Sequence, residues 1–209
     1  MKMEELDRII TLAINAHHSP ASDAFWIFMS SSKWWYLLYA ALIALMFWRL
    51  GWKKGLVMLA ATALTILLTD QCCNLIKNSV CRLRPGNDPE MLARGLYLPI
   101  AASTKHIYGF LSAHSANSFA VVVLTSAFLH TDKRLTLKGS RNPSWLIYLI
   151  VMVLWASLVA ISRVFLARHF VGDILAGAAL GCIIAAATAY AAMRLYDRFA
   201  SSGHFLKIE

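Results

Sequence analysis

Apolar residues run along this chain in five long blocks, at roughly 34–50, 55–76, 107–129, 145–161 and 171–195. Each approaches the ~20 residues that a helix needs to cross a bilayer. The segment before them is patterned differently. Leu6, Ile9, Ile10 and Ala13 fall on one helical face, Glu5, Arg8 and Asn15 lie elsewhere, and Ser19-Pro20 ends the run. That pattern predicts an amphipathic helix lying on the membrane, with a short helix packed against the bundle as the alternative. The expected fold is all-α: a polytopic helical bundle of five transmembrane spans plus the N-terminal interfacial helix, six helices in all. A single domain over 1–209 divides into an interfacial segment (1–32), the bundle (33–199) with a loop at 78–106, and a tail (200–209).

Composition agrees with the pattern. The chain is 59% hydrophobic and only 15% charged, with a mean hydropathy of +0.58, outside the range of soluble domains. The net charge of +9 has to be located before it is interpreted, and no stripe of interleaved basic and aromatic residues argues for nucleic acid. Trp26, Trp34, Trp35, Trp48, Trp52, Trp145 and Trp155 mostly sit near span ends, where indoles favour the headgroup layer. Gly172, Gly177 and Gly181 on the last span invite close approach by another helix. Cys72, Cys73, Cys81 and Cys182 include no metal-ligand spacing, and Cys81 alone falls in a polar loop, as a free thiol or a disulfide partner. Lys2 and Arg8 are offset by Glu4, Glu5 and Asp7 with no cleavage site beyond, so no removable signal peptide is expected.

Loop charge gives an orientation. Arg49, Lys53 and Lys54 follow the first span, Lys133, Arg134, Lys138 and Arg141 follow the third, and Arg194, Arg198 and Lys207 lie at the end. All fall on one face, which the positive-inside tendency makes cytoplasmic, the C-terminus included. The opposite, extracytoplasmic face, of a bacterial inner membrane on this reading, then receives three blocks: Lys77-x6-Arg84-Pro85, Ser112-Ala113-His114 and Ser162-Arg163-x5-His169-x3-Asp173.

Three cations gathered at a membrane surface call for a ligand with more than one negative charge. Arg84 and Arg163 present forked donors that match a tetrahedral anion, and Lys77 adds a compact charge. Ser112 opens a helix whose first turn has unpaired N–H groups, so its hydroxyl either caps the helix or binds the anion. His169 and Asp173 are four residues apart and share a helical face if a helix has begun there. A carboxylate on one imidazole nitrogen fixes the tautomer and leaves the other nitrogen free to attack phosphorus. His114 is then available to protonate the departing oxygen. A metal held by His114, His169 and Asp173 is the rival chemistry, disfavoured by the three neighbouring cations. Asp70, Asn74 and Lys77 form a polar stripe leading away from the site. Asn117 either orients His114 or bonds between helices.

The blocks resemble the three-part signature of the type-2 phosphatidic-acid phosphatase family, integral-membrane lipid phosphatases related to vanadium haloperoxidases. The first and third blocks match in residue type and spacing. The middle block departs, with Leu111-Ser112-Ala113-His114 where the family usually has Pro-Ser-Gly-His. The resemblance implies His169 as a nucleophile that becomes phosphohistidine, Asp173 as its orienting partner and His114 as the acid. It implies Lys77, Arg84, Ser112 and Arg163 as the phosphate cradle, with no metal or other cofactor.

The resulting expectation is an enzyme that removes a phosphomonoester or terminal pyrophosphate phosphate from a membrane lipid. A polyprenyl pyrophosphate is preferred, because a small bundle with little soluble elaboration has few groups to read a large headgroup. Phosphatidic acid, phosphatidylglycerol phosphate and a lipid A phosphate are the other candidates. A non-catalytic lipid-phosphate binder or transporter is the alternative from another class. The partners expected are the lipid substrate and the bilayer, not nucleic acid, and the sequence is silent on oligomeric state.

Overall fold

A single residue, Gly51, separates the first two long helices. Its φ of +78° is one that only glycine adopts without penalty, and its N–H closes the preceding helix on Phe47 O at 3.0 Å. The computed structural model describes residues 3–99, 106–132, 136–137, 140–141 and 143–201. Among these, the α-helices are α1 (Met3–Asn15), α2 (Pro20–Ser30), α3 (Tyr36–Leu50), α4 (Trp52–Val80), α5 (Pro89–Ala93), α6 (Ala113–His130), α7 (Pro143–Phe165) and α8 (Val171–Ser201). Antiparallel pairing of Thr136–Leu137 with Ser140–Arg141 is too short to change the class.

Eight helices therefore replace the expected six. The two additions are local events that an apolar-block reading passes over. In α2, Ser19 caps the helix, its Oγ accepting from Ser22 N at 3.1 Å, and Pro20 takes the first turn, where its missing N–H is no loss. In α5, Asp88 caps five residues and places Met91 in a small core with Leu96, Ala167 and Phe170.

Among the described residues, three helices are long and apolar enough to cross a membrane by length and composition: Trp52–Val80, Ser144–Phe165 and Val171–Ser201. The predicted block at 107–129 is only partly helical, because α6 starts at Ala113. Its first residues are extended instead. Arg84 N donates to Ile107 O at 3.0 Å and Gly109 N to Arg82 O at 2.8 Å, around a bridge between Leu83 and Tyr108. α3 has 15 residues, preceded by a 3-10 turn at Ser32–Trp35. On α4, α7 and α8, large apolar side chains such as Leu67, Leu75, Ile147, Leu154, Leu175 and Ile183 face outward, the distribution a lipid-facing surface requires.

The center of the bundle is α6, packed chiefly on α8 and then on α7 and α4. The contact with α8 is close because of Gly177 and Gly181. A Cβ at Gly177 would lie 2.5 Å from Ser112 O, and one at Gly181 would overlap the Ala116 carbonyl. One end of the bundle is tied by Arg49 to Asp132 at 2.7 Å and Lys54 to Thr131 at 2.6 Å. The opposite end collects the C-termini of α4 and α7 and the N-termini of α6 and α8.

The face of α1 that meets the bundle carries polar residues, with Leu12 and Ile14 packed beside them. Leu6, Ile9 and Ile10 are exposed, whereas Thr11 and Asn15 are buried. Asn15 donates to Tyr97 O and Phe165 O, each at 3.0 Å, and accepts from Tyr97 N at 2.8 Å. It thus latches α1 to the 81–111 loop and to the end of α7. All four cysteines are free, Cys81 among them. Lys2, Lys133, Arg134, Lys138 and Lys207, and all but the first two residues of the 200–209 tail, lie outside the described residues.

Candidate active site

Lys77 lies in the last turn of α4, half-buried. That helix ends at Cys81, which takes the left-handed conformation (φ 52°) and gives its N–H to Lys77 O at 3.1 Å. The chain then turns back over the bundle. Arg84 is 7% exposed, with Nε on Tyr108 O at 3.0 Å, and Pro85 opens a 3-10 turn behind it. Gly86 N reaches Ala167 O at 3.0 Å, which joins the loop of the first block to that of the third.

Ser112 is fully buried and caps α6, its Oγ accepting from Ser115 N at 3.4 Å. Its own N–H donates to Asp173 O at 3.1 Å. Of the two readings the sequence left open for this hydroxyl, capping is present, at a length that leaves it free to bond an anion as well. His114 follows in the first turn, within electrostatic reach of Arg163, His169, Arg168 and Arg84.

The third block forms a tight turn between α7 and α8. Arg168 N and His169 N both donate to Arg163 O, at 2.9 and 3.2 Å, and Ala167, just before them, is left-handed at φ 52°. Arg163 is 3% exposed; one guanidinium nitrogen donates to Ser30 Oγ on α2 and Nε has no partner. His169 is 2% exposed and Asp173 is completely buried. Asp173 Oδ2 accepts from Phe170 N at 3.0 Å and sits 3.5 Å from His169 Nδ1. That separation is long for a hydrogen bond, as unliganded catalytic pairs often are.

Lys77, Arg84, Arg163, His169 and Asp173 therefore converge at one end of the bundle, with Ser112 and His114 on the neighbouring helix. Asp70 and Asn117 meet each other instead, Asn117 Nδ2 donating to Asp70 Oδ1 at 2.9 Å between α6 and α4. Asn74 is exposed and bonds to none of the described site residues. Among the described residues, no carboxylate pairs with Lys77, Arg84 or Arg163. Burial first, then the charges of Arg163, Arg84 and Lys77, holds the His169 imidazole well below its ordinary value, against a backbone hydrogen bond to Gly109. A neutral imidazole ringed by uncompensated cations suits attack on a phosphate and stabilisation of the charge that develops.

Beside the cations lies an apolar cavity of about 430 Å³ with His114 and Asn117 in its wall, extending between α3 and α4 to Met46 and Met58. Several contributors carried no sequence signal. Arg82 binds Asp173 Oδ1 and Asp7 Oδ2, both at 2.8 Å. Ser30 holds Arg163, and Gly109 is confined by Asp173, since a Cβ there would meet Oδ2 at 3.2 Å. Only Arg82 was open to notice, as a third basic residue inside the first block.

Helical bundle and site together define a phosphoric-ester hydrolase built into a membrane. The chain belongs to the PAP2 superfamily, whose family model matches residues 54–197. It is 32% identical over 180 residues to the lipid A 4'-phosphatase of Bacteroides thetaiotaomicron, covering 86% of this chain and 73% of that one. The lipid A 4'-phosphatase of Porphyromonas gingivalis is 26% identical over 182 residues, at 86% and 70% coverage. Among solved structures, the transmembrane PAP2-type phosphatidylglycerolphosphate phosphatase of Bacillus subtilis matches with a TM-score of 0.65 and 24% identity over 88% of this chain and 83% of its own. Aquifex aeolicus LpxE matches at 0.60 and 21%, over 90% and 98%. These two structural matches speak to the fold.

Proposed function

We propose that this protein hydrolyses the phosphomonoester of a membrane lipid through a phosphohistidine intermediate, at the extracytoplasmic face of a bacterial inner membrane, with its C-terminus in the cytoplasm. One observation carries the reading: three cations with no carboxylate partner among the described residues surround a buried neutral imidazole beside an apolar cavity. Lys77, Arg84, Arg163 and the Ser112 end of α6 hold the phosphate. With the Nδ1 proton directed at Asp173, the Nε2 lone pair of His169 attacks phosphorus. The P–O bond to the lipid breaks, and the departing oxygen takes a proton from His114. Water then attacks the phosphohistidine, giving its proton to His114, and inorganic phosphate leaves with His169 restored. No step needs a metal.

The lipid's chains occupy the cavity beside His114, and α3 and α6, although short, complete five spans. The two 4'-phosphatase relatives favour a phosphorylated glycolipid as substrate. The case for a polyprenyl pyrophosphate rested on a thin soluble portion, and the folded loop weakens it. Arg94 pairs with Glu5 at 2.7 Å, and Arg8 with Asp88 at 3.3 Å, on a cap of charged groups able to read a headgroup.

The test is phosphate release by purified protein in detergent, with and without a chelator. The panel comprises lipid A bisphosphate, phosphatidic acid, phosphatidylglycerol phosphate and a polyprenyl pyrophosphate. Chelator-resistant release that is strongest from lipid A and lost in His169→Ala is expected. Failure to hydrolyse any lipid would overturn the reading and leave the lipid-binding or transport alternative; full activity in His169→Ala would remove the proposed nucleophile.

A further inference from the structure

The N-terminal helix is joined to the site by a chain of charged contacts. Asp7 on α1 accepts from Arg82 at 2.8 Å, and Arg82 donates to Asp173 Oδ1 at 2.8 Å, leaving Oδ2 toward His169. The Arg82 guanidinium also lies over the Phe170 ring, 4.0 Å from its centroid. Both of its outer nitrogens and one of its faces are thus engaged, so its fork is held rigidly, as a lysine's single ammonium would not be.

The same α1 residues complete the start of α8. Phe170, the residue before that helix, has no side-chain acceptor to cap it. Asp173 bonds back to Phe170 N, while Thr11 Oγ1 takes Val171 N at 3.3 Å and Asp7 Oδ1 takes Gly172 N at 2.8 Å. A Cβ at Gly172 would come within 2.8 Å of Asp7 Oδ2, so glycine at that position is what admits the carboxylate.

A fully buried carboxylate stays ionised only with a partner cation. The charged groups facing Asp173 are Arg82 and Arg84 from the connection after α4 and His169 from the connection before α8, with Asp7 one contact further out. Arg84 is directed at Tyr108 O and the anion site, which leaves Arg82 as the direct ion-pair partner.

The geometry points to Arg82 and Asp7 as positioning residues: Asp7 fixes Arg82, and Arg82 keeps Asp173 charged and aimed so that His169 is held in its Nδ1–H tautomer. On this view α1 belongs to the catalytic apparatus. The inference rests on the phosphohistidine reading for its consequence in turnover, though not for its effect on the imidazole.

The experiment uses full-length protein in detergent with Arg82→Gln, Arg82→Lys and Asp7→Asn, and Arg94→Gln as a control that loosens α1 at Glu5 without touching the charge chain. In ¹⁵N-histidine spectra, with His169 assigned by its loss in His169→Gln, the wild type should show the Nδ1–H tautomer. Arg82→Gln should shift it toward Nε2–H. In turnover, kcat should fall ~10–100-fold in Arg82→Gln, as for other residues that orient a catalytic ligand from behind, with KM little changed. Arg82→Lys should restore part of the loss, Asp7→Asn should show a smaller version of it, and Arg94→Gln should leave the His169 spectrum as in wild type. An unchanged His169 spectrum in Arg82→Gln overturns the proposal even if no lipid is turned over. Wild-type inactivity on every lipid would instead count against the phosphatase reading alone.

Discussion

The backbone N–H of Ser112 donates to the carbonyl of Asp173 at 3.1 Å, so the N-termini of α6 and α8 meet at a point shared by the second and third sequence blocks. The bond forms because Gly177 and Gly181 let the two helices approach until side chains at those positions would strike the Ser112 and Ala116 carbonyls. Backbone atoms cannot rotate away as a side chain would. Gly181→Ala should therefore separate the helices, costing ~1–3 kcal/mol, the range for overpacking a well-filled core. It should also lower kcat by drawing His114 away from His169. A thermal unfolding midpoint and rate equal to wild type would show that the contact is not tight.

His114 is assigned the proton for the leaving oxygen, a contribution of typically ~10²–10⁴-fold for general acid catalysis. The size of that contribution depends on how badly the leaving group needs a proton. In the first turnover, before the phosphohistidine is hydrolysed, His114→Gln should slow release of an alkyl or sugar leaving group by that range, and slow the burst of nitrophenolate from p-nitrophenyl phosphate much less, since nitrophenolate leaves unassisted. With the activated ester, ³²P-labelled phosphohistidine should be recoverable after a rapid quench. Equal slowing of both esters would remove His114 from the acid role.

Burial and neighbouring cations keep the native His169 imidazole from taking a proton, while in the unfolded chain it gains one as pH falls through ~6.5. The unfolded state then binds more protons, so stability from this group is complete above that pH and is lost as pH falls toward the native value. Thermal midpoints in detergent, measured without phosphate between pH 7.5 and 5.5, should fall more steeply for wild type than for His169→Gln. Parallel curves would mean that His169 titrates normally in the folded protein.

Helix type was legible from the apolar blocks, and the approach of Gly177 and Gly181 to a neighbouring helix from the small residues on the last span. The gathering of Arg84, Arg163, His169 and Asp173 at one end followed from alternating the blocks across a membrane. What the apolar pattern missed is short or extended structure beside the site. Residues 107–111 are apolar enough to count toward a span, yet their backbone pairs with Arg82 and Arg84. The five residues of α5 carry no periodicity. For α1, the choice between lying on the membrane and packing against the bundle stayed open for a related reason. Amphipathicity marks two faces without saying which one meets protein, and here Asp7, Thr11 and Asn15 do, because they supply caps and latches that α8 and the loop lack. Arg82 was visible as a third basic residue of the first block, but its contacts with Asp7 and Asp173 were not, because those partners are 75 and 91 residues away.

The apolar cavity provides a last prediction, because it separates recognition of the chain from chemistry at the phosphate. Val121 lines the same cavity as His114, two turns further along α6, and the mostly apolar wall of this space of about 430 Å³ suits part of a lipid chain. Enlarging the side chain by Val121→Phe fills some of that space without altering charge at the site. Apolar contact contributes ~0.8 kcal/mol per buried methylene, so exclusion of two methylenes should raise KM for a long-chain lipid phosphate by roughly tenfold. A short-chain, water-soluble phosphoester that never enters the cavity should keep its kcat/KM. If both substrates lost activity equally, the substitution would be acting through the fold; if neither did, the lipid chain lies elsewhere.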